Sequence, residues 1–367
     1  MYREIQGRSR PPFESIKRSR RVMHIPDGVL DLKVLAATGM VALGGLAYGV
    51  RALRPALRDR TTVLMGSMAA FVFAAQMVNF PLYPFPVSGH LLGGVLAAVL
   101  LGPWAGALVI GAVLVVQCFL FGDGGLTALG ANFVNMGLVG SAGGYAIYAP
   151  IRRNIAGPRG VLIGSMVAAW FSVILSSGAF AVELAASSRG GGAEFFRVLG
   201  WMALVHSAIG LGEALITGTV VRSLLLVRPD LVDGGTLEPG APATSIGRPW
   251  AGVAAAGLGI STAVAIFLAP LASEHPDGLE FVGRVKASFL PGGGAEAAPL
   301  PIKVPIPDYS IPTLNRLNPG LATAAAGVVG TLVVFGVALG LARGVARGGL
   351  PAPDAAWGRE GRASNAA

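Results

Sequence analysis

The chain has 367 residues, of which 53% are hydrophobic and 13% charged, with a mean hydropathy of +0.65. Soluble domains carry about 25% charged residues, so this composition excludes a water-soluble globular protein and makes lipid the solvent of most of the surface. The net charge of +9 does not mark a nucleic-acid binder, because the basic residues fall in short stretches between apolar runs rather than on one amphipathic face.

A transmembrane helix needs about 20 mostly apolar residues. In chain order the candidates are Val34–Val50, Thr62–Phe80, the short Leu91–Leu101, Trp104–Phe121, Ala131–Tyr148, Val161–Ala186, Val198–Val227, Ala251–Leu271 and Leu321–Leu341. Only Gly102 and Pro103 separate the third from the fourth. Pro cannot continue a helical ladder and Gly is permissive, so a turn between two helices is expected there; one long kinked helix is the alternative. Of the 54 glycines, 26 sit inside these runs, where small residues let membrane helices approach closely. The lone Cys118 lies in an apolar run and reads as a small buried hydrophobe, with no disulfide and no thiolate metal site.

These runs predict an all-α integral membrane protein. A seven-helix transmembrane bundle occupies residues 23–227, and a polar cytoplasmic linker follows at 228–249. Residues 250–343 supply two C-terminal transmembrane helices flanking an extracytoplasmic loop, Ala272–Gly320, which is Pro/Gly-rich and expected to be irregular. The tail, 344–367, is expected to be disordered.

Short loops rich in Lys and Arg face the cytoplasm. Arg51, Arg54, Arg58 and Arg60 put the end of the first helix inside. Nine alternating crossings then put Arg152, Arg153 and Arg159 inside, as well as Arg222, Arg228, Arg248, Arg343 and Arg347. The opposite loops, Pro81–Gly89 and Gly122–Gly130, contain no Lys or Arg. One segment conflicts with this scheme. Residues 1–22 hold Arg3, Arg8, Arg10, Lys17, Arg18, Arg20 and Arg21, yet would begin outside, and they have no long apolar stretch of a secretory signal. Either the topology is wrong or residues 1–22 are absent from the working chain; the favoured expectation is a start at Met23, by initiation there or by removal of 1–22.

The histidines are His24, His90, His206 and His275. In this topology His24 and His90 share the outer face. A chain beginning Met23-His24 can chelate one cation through its α-amine, the His24 amide nitrogen and His24 Nδ1, closing a five- and a six-membered ring. An imidazole from His90 would complete four nitrogens, a planar set suited to Ni(II) or Cu(II). Deprotonated nitrogen is required, so affinity falls with pH. The plainer alternatives are an interfacial loop histidine for His24 and a carbonyl-bonded histidine at a helix start for His90.

The run Met23-His24-Ile25-Pro26-Asp27-Gly28-Val29-Leu30 resembles the start of the CbiM/NikM family, the substrate-binding membrane subunits of cobalt and nickel energy-coupling-factor (ECF) transporters. Further runs are similar in order: Ser88-Gly89-His90-Leu91-Leu92-Gly93-Gly94, Leu101-Gly102-Pro103-Trp104-Ala105, Gly122 to Asn132, Asn135-Met136-Gly137, and His206-Ser207-Ala208-Ile209-Gly210 leading to Gly212-Glu213-Ala214. The resemblance covers about residues 23–227. It implies a metal-ligand set of the Met23 amine, the His24 amide and side chain, and His90. The segment His275-Pro276-Asp277-Gly278-Leu279-Glu280 resembles the PDGLE module related to the NikN accessory subunit, which leans the cargo towards nickel with cobalt open. His275 reads as a solvated loop residue rather than a ligand.

Around the ligands, Asn132 and Asn135 share a helix face. With Asp123 and Ser88 they are candidates for orienting His90 or the N-terminal loop; interhelical bonding is the alternative for the two asparagines. Asp27 is expected to cap the turn before the first helix or to hold the loop. His206 and Glu213 lie seven apart on one face of an apolar helix, as gating or structural polar contacts.

The expected function is the substrate-specific component of an importer of Ni2+ or Co2+, in the cell (inner) membrane. The cation is cargo, with no permanent cofactor. A P-loop GxxxxGK[ST] is absent from the sequence, so ATP hydrolysis falls to partners. The resemblance implies a membrane coupling subunit (CbiQ/NikQ-like) and cytoplasmic ATPase subunits (CbiO/NikO-like). The mature N-terminus and PDGLE loop are expected outside and the C-terminus inside. A membrane metal sensor or scaffold, or an intramembrane metalloenzyme, are the alternatives; the HExxH a metalloprotease would need is absent.

Overall fold

The computed structural model describes residues 23–54, 57, 59–187, 192–232, 250–286 and 302–347. The 1–22 extension, residues 233–249 of the linker and residues 348–367 of the tail lie outside the described residues.

Helix α1, Leu32–Leu53, starts where the Asp31 carboxylate accepts the Val34 amide at 3.0 Å, which satisfies one of the orphan N–H groups of a helix start. Its Leu32, Met40, Val41, Leu43 and Tyr48 are exposed, an apolar face that suits lipid. Helix α2, Asp59–Gln76, leads into a two-residue hairpin in which β1, Phe80–Pro81, pairs with β2, Ser88–Gly89.

Helix α3, Gly94–Leu101, has eight residues, with Gly94 to Val99 buried. It rises about 12 Å, well short of the ~30 Å hydrocarbon core. The chain reverses at Gly102 (φ 87°), and Pro103 opens the apolar helix α4, Pro103–Phe121. A Cβ on Gly106 would stand 2.8 Å from the Ala98 nitrogen. Those residues lie four to either side of Gly102, so the two helices form a hairpin and not one kinked rod. The first arm is a buried half-helix rather than a lipid-facing span.

Helix α5 runs without a break from Leu129–Asn132 through the wider π-helical turns of Phe133–Gly143 into Gly144–Asn154. It meets α3 at two glycines, where a Cβ on Gly94 would lie 2.9 Å from the Gly140 carbonyl carbon. Helices α6, Gly157–Ala186, and α7, Gly192–Val227, pack along their length.

After the linker, α8 spans Trp250–Leu271, a single turn α9 spans Gly278–Phe281, and α10 spans Pro319–Arg347, reaching into the segment expected as tail. Helices α8 and α10 pack on each other and on α2, and α10 also meets α4. A Cβ on Gly327 would be 2.9 Å from that of Ala265, and one on Gly66 3.1 Å from Phe335. The loop expected to be irregular thus holds a buried helical turn, and the C-terminal helices share their packing with the first seven. Among the described residues six helices are long and apolar enough to cross a membrane, and the protein is a multi-pass membrane protein.

Candidate metal centre

The N-terminal loop is pinned by polar side chains from the segment between α4 and α5. Asn132 accepts the Ile25 N–H on Oδ1 (3.0 Å) and donates Nδ2 to the Ile25 carbonyl (3.1 Å). The Gly125 N–H donates to that same carbonyl at 2.8 Å. Asp27 accepts from the amides of Leu126 (3.1 Å) and Thr127 (2.8 Å) and from the Thr127 hydroxyl (2.5 Å). Asp27 therefore holds the loop; the helix cap is Asp31. Gly124 takes a positive φ of 85°, and a Cβ there would come 3.1 Å from the His24 Cβ. Glycine is what lets His24 settle at 2% exposure.

His24 and His90 face each other with ring centroids 5.9 Å apart and planes inclined by 37°. His24 Nδ1 stands 3.1 Å from Asp123 Oδ1, close enough for an ion pair but off the angle of a hydrogen bond, and Nε2 has no hydrogen-bond partner among the described residues. An unsatisfied buried donor or acceptor costs about 1–3 kcal/mol, so Nε2 is open to a partner that the described residues do not supply. Asp123 also accepts the Met23 N–H at 3.3 Å and the Tyr309 hydroxyl at 2.6 Å. His90 Nδ1 lies 3.0 Å from the Leu91 carbonyl oxygen. A carbonyl only accepts, so this assigns the proton to Nδ1 and leaves the Nε2 lone pair for a cation. Nε2 in turn is 3.8 Å from Asp277 Oδ2.

The backbone around His90 is fixed from both sides. Glu213 accepts the amides of Leu92 (2.6 Å) and Gly93 (2.8 Å) on its two oxygens. Gly93, at φ 77°, makes the turn that starts α3. Ser88 donates its hydroxyl to the His275 carbonyl at 2.8 Å, and its N–H to the Pro276 carbonyl at 2.8 Å.

Burial and the neighbouring His24 hold the His90 imidazolium below the usual histidine range. Burial works to raise the Asp123 carboxyl, but His24 and the Tyr309 hydroxyl outweigh it and the net shift is downward. Asp277 is pushed well up by burial, with Glu280 and Asp123 adding charge repulsion.

Met23, His24, His90, Asn135, His206 and Asp277 line a cavity of about 100 Å³. Sites for organic ligands run to roughly 300–1,000 Å³, so this one suits an ion. Among the described residues no three His, Cys, Asp or Glu side chains form a metal-holding group. Any ion held by nitrogen here must draw on backbone or terminal atoms of Met23 and His24 as well as on the two rings.

Of the other residues singled out from sequence, Asn132 meets the N-terminal loop as expected. Asn135 does not: its Nδ2 donates to Glu183 at 2.8 Å and its carbonyl takes the Ser176 hydroxyl, the interhelical alternative. His206 lines the cavity but spends Nδ1 on the Met202 carbonyl, 2.8 Å away. His275 is exposed and pairs with Ser273 at 3.1 Å. Three residues were missed. Asp277 stood in a motif already noticed, without a role. Tyr309 and Glu183 carried no local signal, since their partners are 186 and 48 residues away.

The family described as "Cobalt uptake substrate-specific transmembrane region" matches residues 24–231, and the PDGLE domain matches 251–347. A putative fused nickel transport protein NikMN of Archaeoglobus fulgidus is 36% identical over 322 residues, 88% of this chain and 98% of that one. A fused nickel transport protein NikMN of Rhodobacter capsulatus is 31% identical over 342 residues, 86% and 96% of the two chains. A crystal structure of a transition metal transporter superposes with a TM-score of 0.50 at 28% identity, covering 56% of this chain and 93% of that one.

Proposed function

The chain belongs to the CbiM family of cobalt uptake substrate-specific transmembrane regions, followed by a PDGLE domain, and we propose that it is the substrate-binding component of an ECF-type importer of Ni2+ or Co2+. The observation that carries this is the pair of imidazoles, His24 buried and His90 partly buried, facing each other at 5.9 Å under a loop whose own first residues are nitrogen donors. The cation is cargo and no cofactor resides in the protein. Nickel is the favoured ion, because fused relatives of similar build are named as nickel transport proteins.

The working chain begins at Met23, whose free amine joins the His24 amide, the His24 ring and His90 Nε2 as four nitrogen donors. The start of the family match at residue 24 supports that beginning. The loop enters from the extracytoplasmic side, held by Asn132 and Asp27. A membrane coupling subunit and cytoplasmic ATPases supply the work, and the glycine-lined contact of α3 with α5 is smooth enough to slide when they act.

Uptake of radioactive Ni2+ and Co2+ into cells or vesicles tests this, with and without the ATPase partners. Uptake that needs both this chain and the partners supports it; tight binding with no uptake in the full complex replaces it with a sensor. Metal content and N-terminal sequence on one purified sample test the amine: a chain intact from Met1 that still binds tightly rules the amine out.

A further inference from the structure

We propose that Asp277, from the PDGLE segment, is an oxygen donor to the transported cation. This rests on the metal-binding reading above and assigns a role to a residue outside the four-nitrogen set. Asp277 is 5% exposed and opens α9, where Oδ1 accepts the Glu280 N–H at 2.8 Å. That bond fixes the rotamer and turns Oδ2 towards His90 Nε2, 3.8 Å away. Nitrogen and oxygen donors each sit about 2.0–2.2 Å from a first-row cation, so two of them can share one ion only within roughly 4.2 Å of each other. The observed separation meets that limit.

Three further features single out this carboxylate. The nitrogen it faces is the one that bonding at Nδ1 leaves available. Asp123, the acid beside His24, does not line the cavity and is already committed to Met23, Tyr309 and His24. The approach of α9 is built in: Ser88 ties the two preceding carbonyls, and a Cβ on Gly278 would stand 2.6 Å from Ile209 and 3.0 Å from His206.

Equilibrium dialysis of Ni2+ alone against the purified full chain tests this, with Asp277→Asn and His90→Ala beside the parent. Asn caps helices as well as Asp does, so the metal-free Tm of Asp277→Asn should stay within about 2 °C of the parent. The expected result is a Kd for Ni2+ raised about 10–100-fold, together with a shift of the visible absorption bands of the bound ion. An unchanged Kd overturns the proposal. So do unchanged bands, whatever the Kd, because a residue that only shapes the fold leaves the spectrum of the bound ion alone. Should Asp277→Asn fail to fold, Asp277→Ser, another N-cap former without a carboxylate, takes its place. Loss of binding in His90→Ala with parental behaviour of Asp277→Asn defeats this inference only; full binding by His90→Ala defeats the metal-site reading itself.

Discussion

Two segments reach His90 from opposite ends of the chain, and they are held by different means. The N-terminal loop, residues 23–31, is gripped from outside by side chains of another segment: Asn132 on Ile25, and the 126–127 amides on Asp27. The segment leading into α9 carries its own cap, Asp277, and is tied by Ser88 to the strand preceding His90. The first brings backbone nitrogens and an imidazole; the second brings a carboxylate. A loop without regular structure has backbone groups to spare for a ligand, but only if something else holds it. A capped turn has spent its backbone and can offer only a side chain.

Substitutions can break or sharpen this contrast. His90→Ala removes the ring that both segments address, and Ni2+ affinity measured by dialysis should fall more than 100-fold, about 3 kcal/mol or more. Asn132→Leu releases the loop and leaves the buried Ile25 N–H unpaired, at about 1–3 kcal/mol, while the Ile25 carbonyl keeps the Gly125 N–H. Affinity should drop roughly 10–100-fold, and proteolysis near residue 25 should quicken in the metal-free protein. If instead Asn132→Leu binds like the parent, the loop holds itself and the contrast disappears. Tyr309→Phe removes one hydrogen bond to the Asp123 carboxylate, and a bond to a charged group contributes about 1.5–3 kcal/mol. Its thermal unfolding midpoint should drop, with a smaller loss of affinity than Asn132→Leu. His275→Ala, next to the α9 cap but exposed, should leave Ni2+ affinity within about twofold of the parent. A larger loss would move His275 into the site.

Much of the fold was legible because the bilayer imposes a length and a composition on each helix. Every apolar run read from sequence overlaps a helix, and the shortest run, Leu91–Leu101, is the one that became the buried Gly94–Leu101. Helix ends were less legible. Thr62–Phe80 is Asp59–Gln76 in the structure, because Phe80 is drawn into the hairpin with Gly89. Within the site, Asn132 and Asp27 were found because each stands in a distinctive run and carries polar groups where apolar ones are the rule. For Asn135 the two readings stood open and the interhelical one holds; its partner, Glu183, lies on a different helix, and spacing along one helix says nothing about that.

The sequence by itself determined that the chain is a many-helix membrane protein. It also pointed to Met23, His24 and His90 as the donors proposed for a small cation, since hydropathy and chelate geometry are local properties. Only the tertiary structure decided that the PDGLE segment sits against His90 and that Tyr309 bonds Asp123. Those contacts join residues nearly two hundred positions apart. They exist because α8 and α10 pack on α2 and α4 through glycines that admit close approach, which no run of neighbouring residues encodes.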